Sequence, residues 1–471
     1  MQRTGIAQRA ARWSSSHRKT AIFGWIAFVL VSMVLGSAIG TETIADEDSG
    51  NGDSRTADRI LADAGFPDDA SEQVLIQGTR SQSVEDPAFQ TAIADVEKSL
   101  ADIKHVDQLS SPADNPGQIS EDGRSAIVTF ELLGDEDRTE ERVDATLAAV
   151  DDAQEAHPGF TIEQFGDASS MKAYGEALDA DFQRAEVLSL PITLLILVIA
   201  FGALVAAGVP LLLAITAVMG TLGLIGPLSQ IAPVDEQINS VILLIGLAVG
   251  VDYSLFYMRR ARSERAAGHS NERALDIAAA TSGRAVLVSG LTVMVAMAGM
   301  LLTGNATFMS FGLGTIIVVA VAVLGSLTVL PAVLSKLGDK VEKGRVPFIG
   351  RLRRGDGNSR VWSAILDRVL RRPVASAVAA GGVLVALTIP AFGMSTASPG
   401  MEVLPPDMPI MKTYDRFQGA FPGKSVPATV VVEADDVTSP EVVAATEELR
   451  EQAIASGLMN DPISVQSNPD G

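Results

Sequence analysis

Seven runs of about twenty mostly apolar residues punctuate this chain, at 20–40, 186–206, 208–228, 238–258, 285–303, 307–335 and 374–394. A run of that length matches the roughly 30 Å hydrocarbon core of a bilayer, where only helices and closed barrels satisfy their own backbone. The pattern commits the chain to an α-helical integral membrane protein with substantial polar segments between its spans.

The largest polar segment, 41–184, carries 34 Asp/Glu against 10 Lys/Arg, net −24, although the whole chain is only −21. The basic residues cluster elsewhere. Arg3, Arg9, Arg12, Arg18 and Lys19 precede the first run; Arg259, Arg260, Arg262, Arg265, Arg273 and Arg284 follow the fourth; eleven more lie between Lys336 and Arg372. With seven spans these three segments share one side, which the positive-inside rule makes cytoplasmic. The expected order is a cytoplasmic N-terminus (1–19), a first span (20–40) and an outer domain (41–184). A bundle of spans two to six (186–335), a basic loop (336–373) and a seventh span (374–394) follow. The last segment (395–471) begins a second outer domain, incomplete here. The first run has the length of a span and no small-residue cleavage site, so it reads as an anchor. A short connection at 207–209, flanked by Gly202 and Pro210, predicts a tight hairpin between spans two and three.

The outer segment alternates expected strands at 74–76, 126–132 and 160–165 with expected helices at 87–103 and 140–156. This order suggests an α/β domain of ferredoxin-like, split βαβ type. Residues 167–187 continue as one helix into the second span. An internal repeat is also visible. Thr56-Ala-Asp-Arg59, with Phe66-Pro67 after it, recurs as Thr413-Tyr-Asp-Arg416 with Phe421-Pro422. Strand 73–77 matches 429–433, and helix 87–103 matches 440–456. The offset is about 357 residues, so a second repeat opens near 358 and its counterparts of spans two to six are not in this sequence. The chain reads as part of a two-repeat protein.

Several function classes drop out. An acidic segment beside basic loops disfavours nucleic-acid binding. Cysteine is absent, and His17, His105, His157 and His269 show no metal-ligand spacing, so no metal or cofactor is expected. Gly423-Lys-Ser425 looks like the end of a phosphate loop, but Gln418 stands where the first glycine belongs. No catalytic motif is present, and the chain reads as a non-enzyme.

One residue stands against the apolar background of the fourth run. Asp252 lies in Gly246-Leu-Ala-Val-Gly250-Val-Asp252-Tyr253, about 10 Å of helix from the basic boundary at Arg259. An ionisable side chain there costs about 2.5–3.5 kcal/mol to insert and marks a functional site by default. Burial disfavours the charged carboxylate, which suits Asp252 to loading and releasing a proton, with the Tyr253 hydroxyl to relay or orient it. A buried polar helix contact is the plainer reading of Asp252, and an ordinary core aromatic that of Tyr253. Gly246 and Gly250 form a G-x-x-x-G face for close helix approach, expected to bring Asp252 against a neighbouring helix. Ser289 and Thr292 in the fifth run are polar groups able to face it, or to make weak interhelical hydrogen bonds only.

Three blocks carry a family resemblance: Ile245-Gly-Leu-Ala-Val-Gly-Val-Asp-Tyr-Ser-Leu-Phe256 followed by Arg259-Arg260, Thr281-Ser-Gly-Arg-Ala-Val-Leu-Val-Ser-Gly-Leu-Thr292, and Leu327-Thr-Val-Leu-Pro-Ala-Val-Leu334. With the order of one span, an outer domain, five spans and a repeat, the chain resembles the MMPL branch of the RND transporter superfamily. Many members are actinobacterial. The resemblance implies a multi-pass protein of the inner (plasma) membrane with porter domains, exporting lipids or other hydrophobic compounds at the expense of the proton gradient. It implies a proton relay at Asp252 and Tyr253, with Ser289 close to the relay and channel. In the family a second Asp-Tyr pair in span ten faces the first; that span is not in this sequence. Monomers, trimers and accessory envelope proteins all remain open as assemblies. Two other readings remain: a non-transporting scaffold or accessory subunit, including a SecD-like translocation component, and an inactive truncated transporter.

Overall fold

The computed structural model describes residues 5–66, 69–79, 81–134, 136–344, 360–394, 406, 408–421, 429–456 and 465–468. Pro67, Pro422, Gly423-Lys-Ser425 and residues 345–359 of the basic loop lie outside them. In chain order the helices begin with α1 (Ile6–Ser16), α2 (Arg18–Ile39), α3 (Asp46–Ser49), α4 (Asp53–Asp63), α5 (Pro87–Ala101) and α6 (Glu136–Ala156). The long helices α7 (Asp167–Phe201), α8 (Leu204–Ser229) and α9 (Ile238–Ala266) follow, then α10 (Asn271–Ala278), α11 (Arg284–Ala298) and α12 (Ala306–Leu337). The last four are α13 (Arg360–Arg371), α14 (Pro373–Thr388), α15 (Pro409–Ala420) and α16 (Pro440–Ala455). The strands are β1 (Ala70–Gln77), β2 (Val106–Ser110), β3 (Ser125–Leu132) and β4 (Thr161–Gly166).

Seven helical segments have the length and composition to cross a membrane: α2, α7, α8, α9, Asn271–Leu302, α12 and Pro373–Gly393. The chain divides into two compact units, 1–51 with 184–395, and 52–183 with 396–471. Residues 41–51 therefore belong with the bundle and not with the outer segment. The backbone at Glu42 and Ile44 explains why, because both residues exchange hydrogen bonds with Val234 in the α8–α9 connection.

In the first unit α12 is the helix most enclosed by its neighbours, with Val318, Val319, Ala322 and Leu330 fully buried. By contrast, no residue of α14 is buried. Helix α2 crosses α8 at glycine contact. A Cβ on Gly223 would stand 2.3 Å from the Ser32 carbonyl carbon, and one on Gly36 would stand 2.7 Å from the Gly223 oxygen. Backbones this close gain dispersion contacts that lipid cannot supply. Helix α1 docks through Ala7, Ala11 and Ser14. Arg12 clamps it with a two-pronged bond to Asp276 on α10 (Nε to Oδ1 2.6 Å, Nη2 to Oδ2 3.0 Å).

The expected hairpin at 207–209 is displaced. Helix α7 ends at Phe201 and α8 begins at Leu204, so the turn is Gly202-Ala203. Gly202 adopts φ +70°, a left-handed conformation that costs glycine nothing. Ala206, Ala207 and Pro210 are buried inside α8, where membrane helices tolerate proline. The fifth span also begins earlier than residue 285: α10 joins α11 through a π-helical turn at Ala279–Gly283.

The second unit carries an antiparallel four-stranded sheet in the order β2-β3-β1-β4, threaded as β1-α5-β2-β3-α6-β4. Strand β1 pairs with β3 from Ala70↔Leu132 to Gln77↔Ser125 and with β4 from Glu72↔Gly166 to Gln77↔Thr161. Val74 and Ile76 share a core with Phe89, Val96 and Leu100 of α5 and Val143 and Val150 of α6. Leu75 points to the opposite face, yet it too is fully buried, with Ile127, beneath Phe417 and Phe421. Helix α15 thus covers the back of the sheet built from 70–166. Phe165 meets Tyr414 and Phe417 at ring separations of 5.4 and 6.1 Å, and Arg416 pairs with Glu163. A strand covered on both faces reads as a continuous apolar run, which is how Val74-Leu-Ile76 appears in the sequence. The expected strand at 429–433 does not form; its backbone is irregular. Among the described residues no partner ladder is present to satisfy it.

Candidate functional site around Asp252

Helix α9 runs 29 residues, about 44 Å at 1.5 Å per residue. Asp252 sits at its midpoint. Gly246 and Gly250 both turn inward: a Cβ on Gly246 would meet Val218 of α8 at 2.5 Å and Val318 of α12 at 2.7 Å, and one on Gly250 would meet Ala214 of α8 at 2.9 Å. These glycines are where α9 closes on its two neighbours.

The same contacts carry Asp252 away from the core. At 100° per residue it stands about 160° from Gly250 and about 120° from Gly246. It lies on an exposed stripe with Leu244, Ala248 and Phe256. The expectation that the glycines press Asp252 against a neighbouring helix therefore fails on helical geometry. Tyr253, one residue on, is buried. Its hydroxyl comes within 3.7 Å of where a Cβ on Gly290 of α11 would stand. The Asp-Tyr pair is split, with the carboxylate on the surface of this unit and the phenol in its interior.

Ser289 and Thr292 are exposed on α11. The Thr292 hydroxyl donates to the Val288 carbonyl at 2.9 Å, within its own helix. Two hydroxyls not singled out from the sequence are more enclosed. Ser254 on α9 and Ser326 on α12 are buried, and neither Oγ has a hydrogen-bond partner among the described residues. Gly246 touches Val318, and eight residues further along each helix are Ser254 and Ser326. An available signal was the spacing: Ser254 follows Gly250 by four residues, which puts it on the buried face. Among the described residues no group of three or more His, Cys, Asp or Glu could hold a metal ion.

Residues 49–376 match the model of the MMPL family. The chain belongs to the MMPL family. MMPL proteins form a branch of the RND superfamily. The chain is 33% identical over 409 residues to the mycolic acid-containing lipids exporter MmpL11 of Mycolicibacterium smegmatis, covering 82% of this chain and 41% of that protein. It is 28% identical to the trehalose monomycolate exporter MmpL3 of Mycobacterium tuberculosis, over 94% of this chain and 50% of that one. A putative membrane protein of Streptomyces coelicolor is 29% identical, over 90% and 59%. The chain thus spans about half the length of the curated relatives it matches. Among solved structures, the hedgehog release protein Disp of the water bear Hypsibius dujardini matches with a TM-score of 0.50 at 13% identity, covering 70% of this chain and 49% of that one. That likeness concerns the fold alone. The chain is a multi-pass, mostly helical MMPL protein with a small antiparallel sheet.

Proposed function

We propose that this chain is part of a proton-driven MMPL transporter that moves lipids or similarly hydrophobic compounds across the inner membrane, with Asp252 as the residue that binds the transported proton. The observation that carries the reading is Asp252 itself: one carboxylate at the midpoint of α9, on an otherwise apolar exposed stripe. A bare carboxylate facing hydrocarbon is expensive, and such residues normally line a polar path or meet a partner. The internal repeat supplies that partner in principle. A counterpart of α9 from the second repeat, packed on the Leu244–Phe256 stripe, would enclose Asp252 and bring a second acid or hydroxyl to it. Tyr253, reaching toward Gly290, and Ser289 and Thr292 on α11 are the neighbouring groups assigned to the same path.

Charge bias supports a topology with α1 and the α9–α10 region cytoplasmic and the sheet unit outside. The β-α-β-β-α-β order and the strand order β2-β3-β1-β4 support reading that unit as a ferredoxin-like porter domain. The names of the MmpL3 and MmpL11 exporters support a lipid cargo. Another relative, of Mycobacterium tuberculosis, is named a heme uptake protein.

Asp252→Asn tests the reading, because it removes the titratable group at nearly constant volume. In membrane vesicles carrying the full-length protein, proton-gradient-dependent movement of a fluorescent lipid is expected to fall at least tenfold, with protein level unchanged. Unchanged movement would remove Asp252 from the relay. Absence of gradient-dependent movement in the wild type would favour a scaffold or accessory role.

A further inference from the structure

A second buried carboxyl lies outside the bundle. Glu72 on β1 has no solvent exposure and shares the inward face of the strand with Val74 and Ile76. Its partners are neutral. The Gln164 amide nitrogen on β4 donates to Oε2 at 2.7 Å, and the Ser169 backbone N–H on α7 donates to Oε1 at 2.9 Å. The Gln164 nitrogen also donates to the Thr146 hydroxyl of α6 at 2.9 Å, while its own Oε1 is buried without a partner among the described residues. The cluster is closely packed: a Cβ on Gly166 would stand 2.3 Å from the Ser71 oxygen and 2.6 Å from the Glu72 Cδ.

We propose that Glu72 is a proton-binding site of the sheet unit, and that proton occupancy sets how firmly the first turn of α7 is held to β1. A buried carboxylate is kept charged by a cation or by enough donors, and here only neutral donors reach it. Among the described residues no salt bridge includes Glu72. The charged groups around it do not help. Asp167 on α7 adds negative charge and is itself held by the Ser71 N–H at 3.1 Å. Lys172, one turn further along α7, is bound to Asp144 of α6 at 3.2 Å and Glu176 at 3.5 Å. Strand β4 contributes Gln164, and the adjoining inward positions of β3, Phe130 and Leu132, are apolar. Burial accordingly pushes the Glu72 carboxyl up to about 7, against the pull of the Ser169 N–H, the Gln164 amide and the Ser169 hydroxyl. The cluster also receives the neutral form, since a Gln164 amide turned end for end offers its unpartnered oxygen to the acid proton. In the ionised form Glu72 accepts from an N–H at the positive end of a helix, a charge-assisted bond that weakens on protonation. The proposal stands whether or not Asp252 binds the transported proton.

The test is pH-difference infrared spectroscopy of the whole chain in lipid nanodiscs, reading the carbonyl stretch of protonated carboxylic acid. In the wild type a band is expected to disappear with a midpoint near 7, and Glu72→Gln is expected to abolish it. Ser169→Ala, which leaves the backbone donor in place, guards against misfolding of the first variant and is expected to move the midpoint upward. Hydrogen exchange of the α7 amides around Ser169, corrected for intrinsic rates, is expected to be several-fold more protected above the midpoint than below it in the wild type only. A band near 7 that survives Glu72→Gln in an Asp252→Asn background, or a wild-type midpoint in the ordinary carboxylate range, would overturn the proposal. So would α7 protection indifferent to the midpoint.

Discussion

Two carboxylates in this chain occupy opposite situations, and residue geometry accounts for both. Asp252 is exposed because the residues two and six positions before it are spent on helix contact. Glu72 is enclosed because strand parity places it with Val74 and Ile76. That parity was available in the sequence: once 74–76 is read as a strand, residue 72 falls on the same face as 74 and 76. Its enclosure by β4 and α7 was not available, since it depends on contacts across more than ninety residues. The raised pKa makes a stability prediction with a definite sign. A folded-state value near 7, above the ordinary 4.5, means that the Glu72 contribution is fully present below pH 4.5 and is lost as pH rises through 7. The loss is on the order of 3 kcal/mol across that window. Thermal unfolding of Glu72→Gln against the wild type should show the variant gaining relative stability from pH 5 to pH 8. A constant difference between them would count against the shift.

At the scale of elements, small residues decide which helices touch. Gly223 meets the Ser32 backbone so closely that even one methyl group must push α2 and α8 apart. Gly223→Ala is expected to cost about 1–3 kcal/mol, the range for overpacking. The comparison is unfolding in one detergent beside Gly208→Ala, where the added Cβ meets nothing within 4 Å. Equal effects would show that the crossing is slack. The seven apolar helices were legible because hydropathy is summed over a whole element and a few polar residues cannot hide it. Their ends were less legible. The hairpin is set by the positive φ of Gly202, whereas Pro210, the stronger apparent breaker, sits in α8. Strand β2 escaped notice for a different reason. It is an edge strand with a register shift between Asp107 and Ser110 and positive φ at His105 and Gln108, so no two-residue alternation survives.

For the molecule as a whole, the role of the segment after residue 395 was not readable from the sequence. Matching Thr56–Arg59 with Thr413–Arg416 predicted a second outer domain beginning after residue 395. The structure places α15 on the sheet of 70–166, with Phe417 and Phe421 over Leu75 and Ile127. Sequence similarity identifies equivalent pieces and does not say which sheet each one covers. Phe417→Ala is expected to destabilise this unit by about 3–5 kcal/mol, the usual cost of emptying an aromatic core site. Limited proteolysis should then cut within 70–166 at protease levels the wild type withstands; unchanged resistance would mean that the cover is dispensable.

The same cover has a consequence for synthesis. About 240 residues of chain separate Gly166, where the sheet ends, from Pro409, where its lid begins. At roughly 5–20 residues per second, a ribosome needs roughly 12–50 s to cross that interval. Throughout that wait the sheet is complete in its strands while Leu75, Ile127 and Phe165 lack their cover, and six further candidate spans are being made. The vulnerable moment in the life of this protein is therefore during its making, and a holding factor for nascent chains would have its target there.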